Sequence, residues 1–409
     1  MFLKNKFQFQ RYTFLVVLVI FFSACEKRII PDPVELPPLS YNDTIHNIYK
    51  DITTDTVLKN LGGNGIDYRI MNMVRVLNGA TLTIDAGVNL QVVQNGGLYI
   101  SNGSALQING TAVAGVSITG QSKSKGFWNG IVFENTVNVN NQLRYTTIEY
   151  AGGDAGNVYK SAAISLFASA VSFNNCTIKN NKFFGFAFDS TSTPDMHNCN
   201  ITANDSMPVL MMHNNFGLLT ADNNYLLNKD DRILVKSTQG VPSSKPQIIK
   251  KIGVPYYLAG TSNFGNALTL EAGVRFVMGK LAALYFNNSI SNAANFSAIG
   301  TSNNQIIIEG AKPDSGYWQG IVIHGGGITN LNYCQLKYAG TAADFGYPNS
   351  GASLMLSGGT PGVLNVTNCT IQSAFFNGII IKVPDILYNT DIETSNTFIQ
   401  VSGINVIYY

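Results

Sequence analysis

Short apolar segments recur along the first half of the chain at nearly constant intervals, and the residues between them are rich in Asn, Gly, Ser and Thr. The first residues of five such segments are 33, 22, 23 and 24 positions apart. A second series of apolar positions is spaced by 23 and 25 residues. No apolar stripe with the helical period of about 3.6 residues runs between them. The five segments are 131–133, 164–166, 186–188, 209–211 and 233–235, and the second series is Ile178, Ile201 and Leu226.

These intervals predict a solenoid, because a repeat of about 20–50 residues is typical of that architecture. A single coil of strands and turns cannot bury its own inward side chains. Stacking the coils about 4.8 Å apart does bury them. We therefore predict an all-β fold, a parallel β-helix with on the order of 13 coils.

Four blocks of sequence occur twice in the same order, which indicates a duplicated unit of about 190 residues. The offsets between the copies are 186, 190, 188 and 193 residues. We predict β-helix unit 1 at 66–254 and unit 2 at 255–409, with an N-terminal cap at 41–65 and a C-terminal cap at 397–409. The paired blocks are LTIDAGV (82–88) and LTLEAGV (268–274), GFWNGIVFE (126–134) and GYWQGIVIH (316–324), LRYTTIEYAG (143–152) and LNYCQLKYAG (331–340), and NCTI at 175–178 and 368–371.

The second pair of blocks contains the two tryptophans of the chain, Trp128 and Trp318. We expect each indole to cover a corner between two faces of a coil, with a sugar-stacking platform as the alternative. The glycine two residues later, at 130 and 320, permits a tight corner.

The repeated blocks resemble those of the β-helix lipoproteins of Bacteroidetes, in which a G-x-x-L-T-I-x-x-G-V phrase is followed by W-x-G-I and L-x-Y-x-x-I-x-Y-A-G. The resemblance covers roughly 65–385 and implies a right-handed parallel β-helix. It says little about activity, since one fold hosts many functions.

The N-terminus has the pattern of an export signal. Lys4, Lys6 and Arg11 precede an apolar run at 12–24 that is short for a membrane span. The run ends in Ser23-Ala24-Cys25, which resembles a bacterial lipobox, although Phe22 replaces the usual Leu. We predict a signal peptide at 1–24, lipidation of Cys25, and a proline-rich tether at 25–40. The protein would then be anchored in the outer membrane, on the periplasmic or the cell-surface side. An ordinary secretory signal or an anchor helix is the alternative.

Charge excludes one class of partner. Charged residues make up 12% of the chain, against about 25% in typical soluble proteins. Without the three basic residues of the export signal, 23 basic residues face 24 acidic ones. A nearly neutral chain without a basic stripe is a poor binder of nucleic acid.

Four cysteines share one position in the repeat, two residues before an inward apolar residue. We expect Cys176, Cys199, Cys334 and Cys369 to be buried free thiols, and disulfides stay an alternative in an oxidising compartment. Their spacing follows the coil and no CxxC occurs, so zinc is not expected. We expect neither a metal nor a cofactor. The four histidines, which we expect in solvated or turn positions, are His46, His197, His213 and His324.

Polysaccharide lyases and hydrolases also use this fold, so an enzyme is the alternative function. Polygalacturonase-like hydrolases carry N-T-D, then D-D, then G-H-G, then R-I-K on successive coils. Here DD (230–231) precedes NTD (389–391), and RILVK (232–236) directly follows the Asp pair. These matches are weak. We therefore expect a non-catalytic protein, with a lyase or glycoside hydrolase acting on an acidic glycan as the alternative.

Both units carry one coil of 33 residues, measured from Ile131 to Ile164 and from Ile321 to Leu354. The additional residues form loops at 151–161 and 339–351, which we expect on one side of the solenoid. Loops on a rigid scaffold often bind ligands. The predicted function is a surface module that binds a polysaccharide or another surface protein. The candidate ligand-binding residues are Asp154, Tyr159, Asp344 and Tyr347.

Overall fold

The computed structural model describes residues 45–62, 65–153, 161–237, 243, 245–287, 295–341, 351–357, 362–382 and 386–409. Every element described below lies in the compact unit Tyr41–Tyr409. The elements are short parallel β-strands, apart from one 3-10 helix, η1 (His213–Leu218). None of the helices in the described part of the chain is long and apolar enough to cross a membrane.

One sheet, named sheet I, continues through both predicted units. Among the described residues it has 13 strands, which agrees with the expected number of coils. They are β4 (Met73–Val76), β7 (Gly97–Ser101), β10 (Gly130–Glu134), β13 (Ala162–Phe167), β16 (Phe184–Phe188), β19 (Val209–Met212), β20 (Ile233–Lys236), β22 (Tyr256–Leu258), β25 (Arg275–Met278), β28 (Ile306–Gly310), β31 (Cys334–Lys337), β34 (Thr370–Gln372) and β37 (Thr397–Ile399).

Two further sheets complete the coils of the N-terminal half, and the chain passes from sheet I to sheet II, then to sheet III, and back to sheet I. Sheet II consists of β2 (Thr56–Leu58), β5 (Thr81–Ile84), β8 (Ala105–Asn109), β11 (Gln142–Arg144), β14 (Ala170–Asn174) and β17 (Thr193–His197). Sheet III consists of β1 (His46–Ile48), β3 (Tyr68–Ile70), β6 (Asn89–Val92), β9 (Val116–Gly120), β12 (Thr146–Glu149), β15 (Thr177–Lys179) and β18 (Asn200–Thr202).

In the C-terminal half the chain passes from sheet I to sheet IV and then to sheet V. Sheet IV consists of β23 (Ser262–Phe264), β26 (Ala283–Asn287), β29 (Gly320–His324), β32 (Ala352–Ser357), β35 (Asn377–Lys382) and β38 (Val406–Tyr408). Sheet V consists of β21 (Gln247–Ile249), β24 (Leu268–Leu270), β27 (Phe296–Ile299), β30 (Gly327–Asn332), β33 (Gly362–Thr367) and β36 (Leu387–Tyr388). The predicted all-β, right-handed parallel β-helix is confirmed.

The interior is built from side chains of equal register on successive coils. Ile131 pairs with Ile164, Ile164 with Phe186, and Phe186 with Val209 on sheet I. All four are fully buried, so the first apolar series of the sequence is confirmed. The burial of such columns is the main stabilising term of a solenoid.

The second apolar series is correct up to Ile201 and then wrong by one residue. Asn200 bridges to Asn224 on the next coil, which brings Tyr225 into line with Ile201. Tyr225 is 1% exposed, whereas Leu226 is 47% exposed. A one-residue change of register moves a side chain to the other face of a strand. The larger aromatic ring is therefore the inward residue.

Asparagines at the corners of the coils explain why this residue is so common in the chain. Many of them have a positive φ, for example 61° at Asn78, 56° at Asn175 and 53° at Asn368. Asn tolerates the left-handed region better than other residues with a side chain. The corners that these asparagines occupy can therefore turn sharply without glycine.

The two units are joined through sheet I but are rotated by one face. β20 pairs with β22 across the predicted boundary at 254/255. The Trp block of unit 1 ends in β10 on sheet I, whereas the equivalent β29 lies on sheet IV. Likewise, β12 lies on sheet III and its equivalent β31 on sheet I. β28 is the seventh strand after β10 in sheet I, and the chain then continues from β28 to β29 in sheet IV. Equivalent positions are thus seven coils and one face apart.

This rotation corrects the expected position of the long loops. The loop at 151–161 leads from sheet III to sheet I, and the loop at 339–351 leads from sheet I to sheet IV. They leave the solenoid at different corners, so the expectation that they share a side is wrong. The cause is that the offset between the copies is not a whole number of coils.

The helix η1 follows β19 of sheet I and contacts β17 of sheet II and β21 of sheet V. Its Phe216 is fully buried and packs edge-on against Tyr256 at 5.6 Å and stacked on Phe276 at 5.6 Å. Asn215 of the helix donates to the carbonyl oxygen of Asp189 at 2.8 Å. The helix therefore packs against sheet I and is bonded to the turn that precedes β17.

The segments expected as caps are terminal coils in their described parts. β1 pairs with β3, and β2 pairs with β5. At the other end, β37 pairs with β34, and β38 pairs with β35.

Candidate functional site

The residues predicted from the sequence to bind a ligand, Asp154, Tyr159, Asp344 and Tyr347, lie outside the described residues, as does Cys25. Described residues on the same coil and on the neighbouring coils surround the start of each long loop. We name these surroundings the first loop corner, with Phe127, Tyr150 and Phe183, and the second loop corner, with Tyr317, Tyr338 and Phe375.

The two tryptophans anchor the loop corners from inside. Trp128 and Trp318 are both fully buried. The Nε1–H of Trp128 donates to the carbonyl oxygen of Glu149, and that of Trp318 donates to the carbonyl oxygen of Lys337, each at 2.8 Å. The structural interpretation of these residues is confirmed, and the sugar-stacking alternative is wrong, because neither indole reaches the surface.

The glycine of each Trp block fits its predicted role in a tight corner. Gly130 has a φ of 100° and Gly320 a φ of 126°. A Cβ at Gly130 would lie 2.6 Å from the carbonyl oxygen of Ala163, and one at Gly320 would lie 2.5 Å from that of Ala352. Only glycine allows the neighbouring coils to approach this closely.

Backbone hydrogen bonds tie each long loop to the Trp block of its unit. Gly153 N–H donates to the carbonyl oxygen of Trp128 at 2.9 Å, and Gly340 N–H donates to that of Gln319 at 3.1 Å. The loops therefore begin from rigid positions, as a binding loop requires.

Aromatic side chains surround both loop corners. In the first, Phe127 N–H donates to the carbonyl oxygen of Tyr150 at 2.9 Å, and the Lys182 ammonium lies 5.1 Å from the ring centre of Phe183. In the second, Phe375 packs edge-on against Phe376 at 4.6 Å and is 44% exposed. Exposed aromatic rings are suited to packing against the apolar faces of sugars or against protein side chains.

An acid–base cluster that the sequence did not reveal lies on sheet II. The Nδ1 atom of His197 is 2.8 Å from a carboxylate oxygen of Asp222, and its Nε2 atom is 3.1 Å from one of Asp195. The hydrogen bond to Asp222 raises the pKa of His197, and the charge of Asp195 adds to this effect. Asp195 and His197 are two residues apart on β17, but Asp222 comes from the next coil. Only the register of that coil could have predicted the cluster.

The histidine expectation fails at one position. His213 is fully buried in η1 and packs edge-on against Phe264 at 6.1 Å. It is part of the interior at the junction between the units and is not solvated.

The four cysteines are buried and free, as predicted. The Cys176 thiol donates to the carbonyl oxygen of Leu143 at 3.2 Å, and the Cys334 thiol donates to that of Ala298 at 3.1 Å. A hydrogen bond with Cys369, together with burial, raises the pKa of the Cys334 thiol well above its usual range. All four thiols are at most 2% exposed, and buried structural thiols are inert towards reagents in the solvent.

Within the described ranges, no group of three or more His, Cys, Asp or Glu side chains is arranged to hold a metal ion.

A comparison with protein families matches residues 72–243 to a family described as a right-handed β-helix region. The match covers most of unit 1, which spans 66–254, and agrees with the fold of the structure. Comparisons with curated proteins and with solved structures give no match.

Proposed function

We propose that the protein is a lipid-anchored module of the cell envelope that binds a glycan through its two loop corners without cleaving it. The observation that carries this proposal is the repetition of the loop corner. A buried indole, a glycine corner and partly buried aromatic rings recur in both units. A rigid solenoid that holds two such loops is suited to recognition. A surface protein is the other partner that such corners fit.

The position of the acid–base cluster supports binding over cleavage. Asp195, His197 and Asp222 lie on and beside sheet II, which borders neither loop corner. Elimination from an acidic glycan needs an unprotonated base. Carboxylates on both sides of His197 favour its protonated form and repel a uronate. A lyase or hydrolase acting on an acidic glycan is therefore the weaker proposal.

The anchoring proposal rests on the sequence of the export signal and on Ser23-Ala24-Cys25. We expect Cys25 to be the lipidated N-terminus and the protein to partition into the detergent phase. Cys25→Ala should release the protein into the aqueous phase. If this variant stays with the membrane, the lipid anchor is contradicted.

The binding proposal is tested on a glycan array with the wild type and with a variant in which both long loops are shortened to ordinary turns. The matched control shortens no loop and replaces Lys123 and Lys312, exposed residues of the Trp-block turns, with Ser. We expect the wild type and the control to bind the same glycan and the shortened variant to lose it. Binding that survives in the shortened variant would contradict the proposed site. If the wild type binds no glycan, a protein partner is favoured.

A further inference from the structure

A buried carboxylate occupies one corner of unit 1, between sheets II and III. Asp67 is 5% exposed. Its Oδ1 accepts the N–H of Leu61 at 2.9 Å, and its Oδ2 accepts the N–H of Asn89 at 2.8 Å. Two backbone donors on adjacent coils therefore hold one carboxylate, with one donor for each oxygen.

The equivalent corner of unit 2 lies between sheets V and I and has the same backbone framework. In unit 1 the Tyr68 hydroxyl donates to the carbonyl oxygen of Lys59 at 2.9 Å. In unit 2 the Tyr256 hydroxyl donates to that of Lys250 at 3.1 Å. The residues DAGVN (85–89) correspond to EAGVR (271–275). The N–H groups of Ile252 and Arg275 are thus the counterparts of those of Leu61 and Asn89.

The carboxylate itself has no counterpart in unit 2, because the turn is shorter. Five residues separate Gly62 from Tyr68, whereas two separate Gly253 from Tyr256. Pro255 precedes Tyr256 where Asp67 precedes Tyr68. A surface pocket of ≈ 170 Å³ lies here, and its lining includes Lys251, Ile252, Pro255, Tyr256, Gly273 and Arg275.

A cation also appears at the rim of this pocket. Lys251 corresponds to Asn60 of unit 1. Its side chain packs against Gly273: a Cβ added to that glycine would lie 3.2 Å from the Lys251 Nζ atom. The Lys251 ammonium donates to Asn304 Oδ1 at 3.1 Å, which leaves it two further N–H donors. Unit 2 thus combines the two backbone positions with an ammonium group.

The positive and negative charges of the other side chains at this corner nearly cancel. The guanidinium of Arg275 donates through Nε to Glu309 at 2.9 Å, so its charge is matched on the next coil. Glu271 follows β24 at the same corner, and Lys250 precedes Lys251. Lys251 therefore supplies the positive charge that faces a ligand in this pocket.

We propose that this pocket binds the carboxylate of a uronate residue in an acidic polysaccharide. The ligand carboxylate takes the position that the Asp67 carboxylate holds in unit 1. It accepts hydrogen bonds from the N–H groups of Ile252 and Arg275 and forms an ion pair with Lys251. A planar group with two oxygens suits this donor arrangement. The pocket is smaller than the roughly 300–1,000 Å³ of sites for drug-sized ligands, so it holds one charged group of a longer chain. The choice of a polysaccharide rests on the proposed glycan-binding function.

The test is calorimetric titration at low salt with trigalacturonate, the uncharged galactotriose and acetate. We expect trigalacturonate to bind the wild type and galactotriose not to bind. Lys251→Asn, which introduces the unit 1 residue, should weaken binding at least about tenfold. Pro255→Asp, which supplies an internal carboxylate, should abolish it. Thermal unfolding verifies that both variants fold. If Pro255→Asp does not fold, the comparison of the wild type with Lys251→Asn alone tests the proposal.

Several outcomes would overturn the proposal. Equal binding of galactotriose, unchanged affinity in Lys251→Asn, or no binding of trigalacturonate by the wild type would each do so. Binding of acetate that depends on Lys251, without binding of trigalacturonate, would assign the pocket to a small free carboxylate. The variant with both long loops shortened separates this site from the proposed function. It retains the pocket, so it should still bind trigalacturonate in the titration even though it no longer binds the longer glycan on the array.

Discussion

The indole Nε1–H of Trp128 donates a 2.8 Å hydrogen bond to the carbonyl oxygen of Glu149 on the following coil. Trp318 and Lys337 repeat this contact at the same distance in unit 2, although the two pairs lie at different corners of the solenoid. The contact belongs to the duplicated unit and is independent of the face on which it falls. It fixes the turn from which each long loop begins.

Removal of this hydrogen bond should destabilise the protein. Trp128→Phe and Trp318→Phe each leave a buried carbonyl oxygen without its indole donor and a smaller ring in the core, so we expect a loss of about 2–3 kcal/mol in the free energy of unfolding. Chemical denaturation measures this loss. Tyr317→Phe is the matched control, since unit 1 has Phe127 at that position, and should change the free energy of unfolding by less than about 0.5 kcal/mol. Equal effects in all three variants would contradict the anchoring role.

The cysteines should be unreactive in the native protein and reactive only after unfolding. Each of Cys176, Cys199, Cys334 and Cys369 is buried and free. Titration with a thiol reagent should label none of the four in the native state and all four in denaturant without reductant. A mass lower by two hydrogens for each pair, measured without reductant, would show disulfides and contradict this prediction.

The cluster at His197 should make stability depend on pH. The hydrogen bond to Asp222 raises the folded-state pKa of His197 above its unfolded value. The resulting stabilisation is therefore complete below the unfolded pKa of about 6.5 and is lost as pH rises through the folded-state pKa. Asp222→Asn should lower the melting temperature more at about pH 5.5 than at about pH 8.5. The control, Asp205→Asn, removes an exposed carboxylate paired with Lys125 and should show no such difference. A larger effect of Asp222→Asn at the higher pH would contradict the predicted sign.

A buried asparagine ladder should stabilise unit 1. Asn204 is 1% exposed, accepts from Asn181 Nδ2 at 2.8 Å and donates to Asn228 Oδ1 at 2.9 Å. Asn204→Ala leaves both neighbours without these partners, and we expect a loss of about 2–3 kcal/mol in the free energy of unfolding. Asn224→Ala removes an exposed amide that donates to Asn200 at 2.7 Å and serves as the control. A similar small loss in both variants would mean that the ladder contributes little.

The sequence predicted the coil because inward positions must be apolar on every turn. The column from Ile131 to Val209 is therefore visible in the one-dimensional pattern. The pattern fails at Leu226, where both Tyr225 and Leu226 are apolar and only the bridge from Asn200 to Asn224 decides which of them faces inward.

The rotation between the units could not be predicted from residue offsets. The offset of 190 residues between the Trp blocks does not show on which face of the solenoid the second block lies, unless the length of every coil between them is known. η1 and the turns at the junction change those lengths. The same limit hid the contact between His197 and Asp222, since their separation of 25 residues identifies neighbours only after the coils are aligned.

The charge difference between the equivalent corners was visible in the sequence but had no meaning without the structure. Asn60 and Lys251 correspond, as do Asn89 and Arg275, yet the role of Asp67 depends on its contacts with two backbone N–H groups. Only these contacts distinguish a buried structural carboxylate from an exposed one.

Sheet I crosses the unit boundary and thereby fixes the rotation between the two copies. Ile233 N–H donates to the carbonyl oxygen of Pro255 at 2.9 Å, and Ala259 N–H donates to that of Val235 at 3.1 Å. Amide hydrogen exchange tests these two bonds directly. We predict that both amides are protected to within about tenfold of Gly279, which donates to Leu258 at 2.8 Å inside unit 2. Exchange of Ile233 and Ala259 at the rate of an unstructured chain, with Gly279 still protected, would show two separate units and contradict the account.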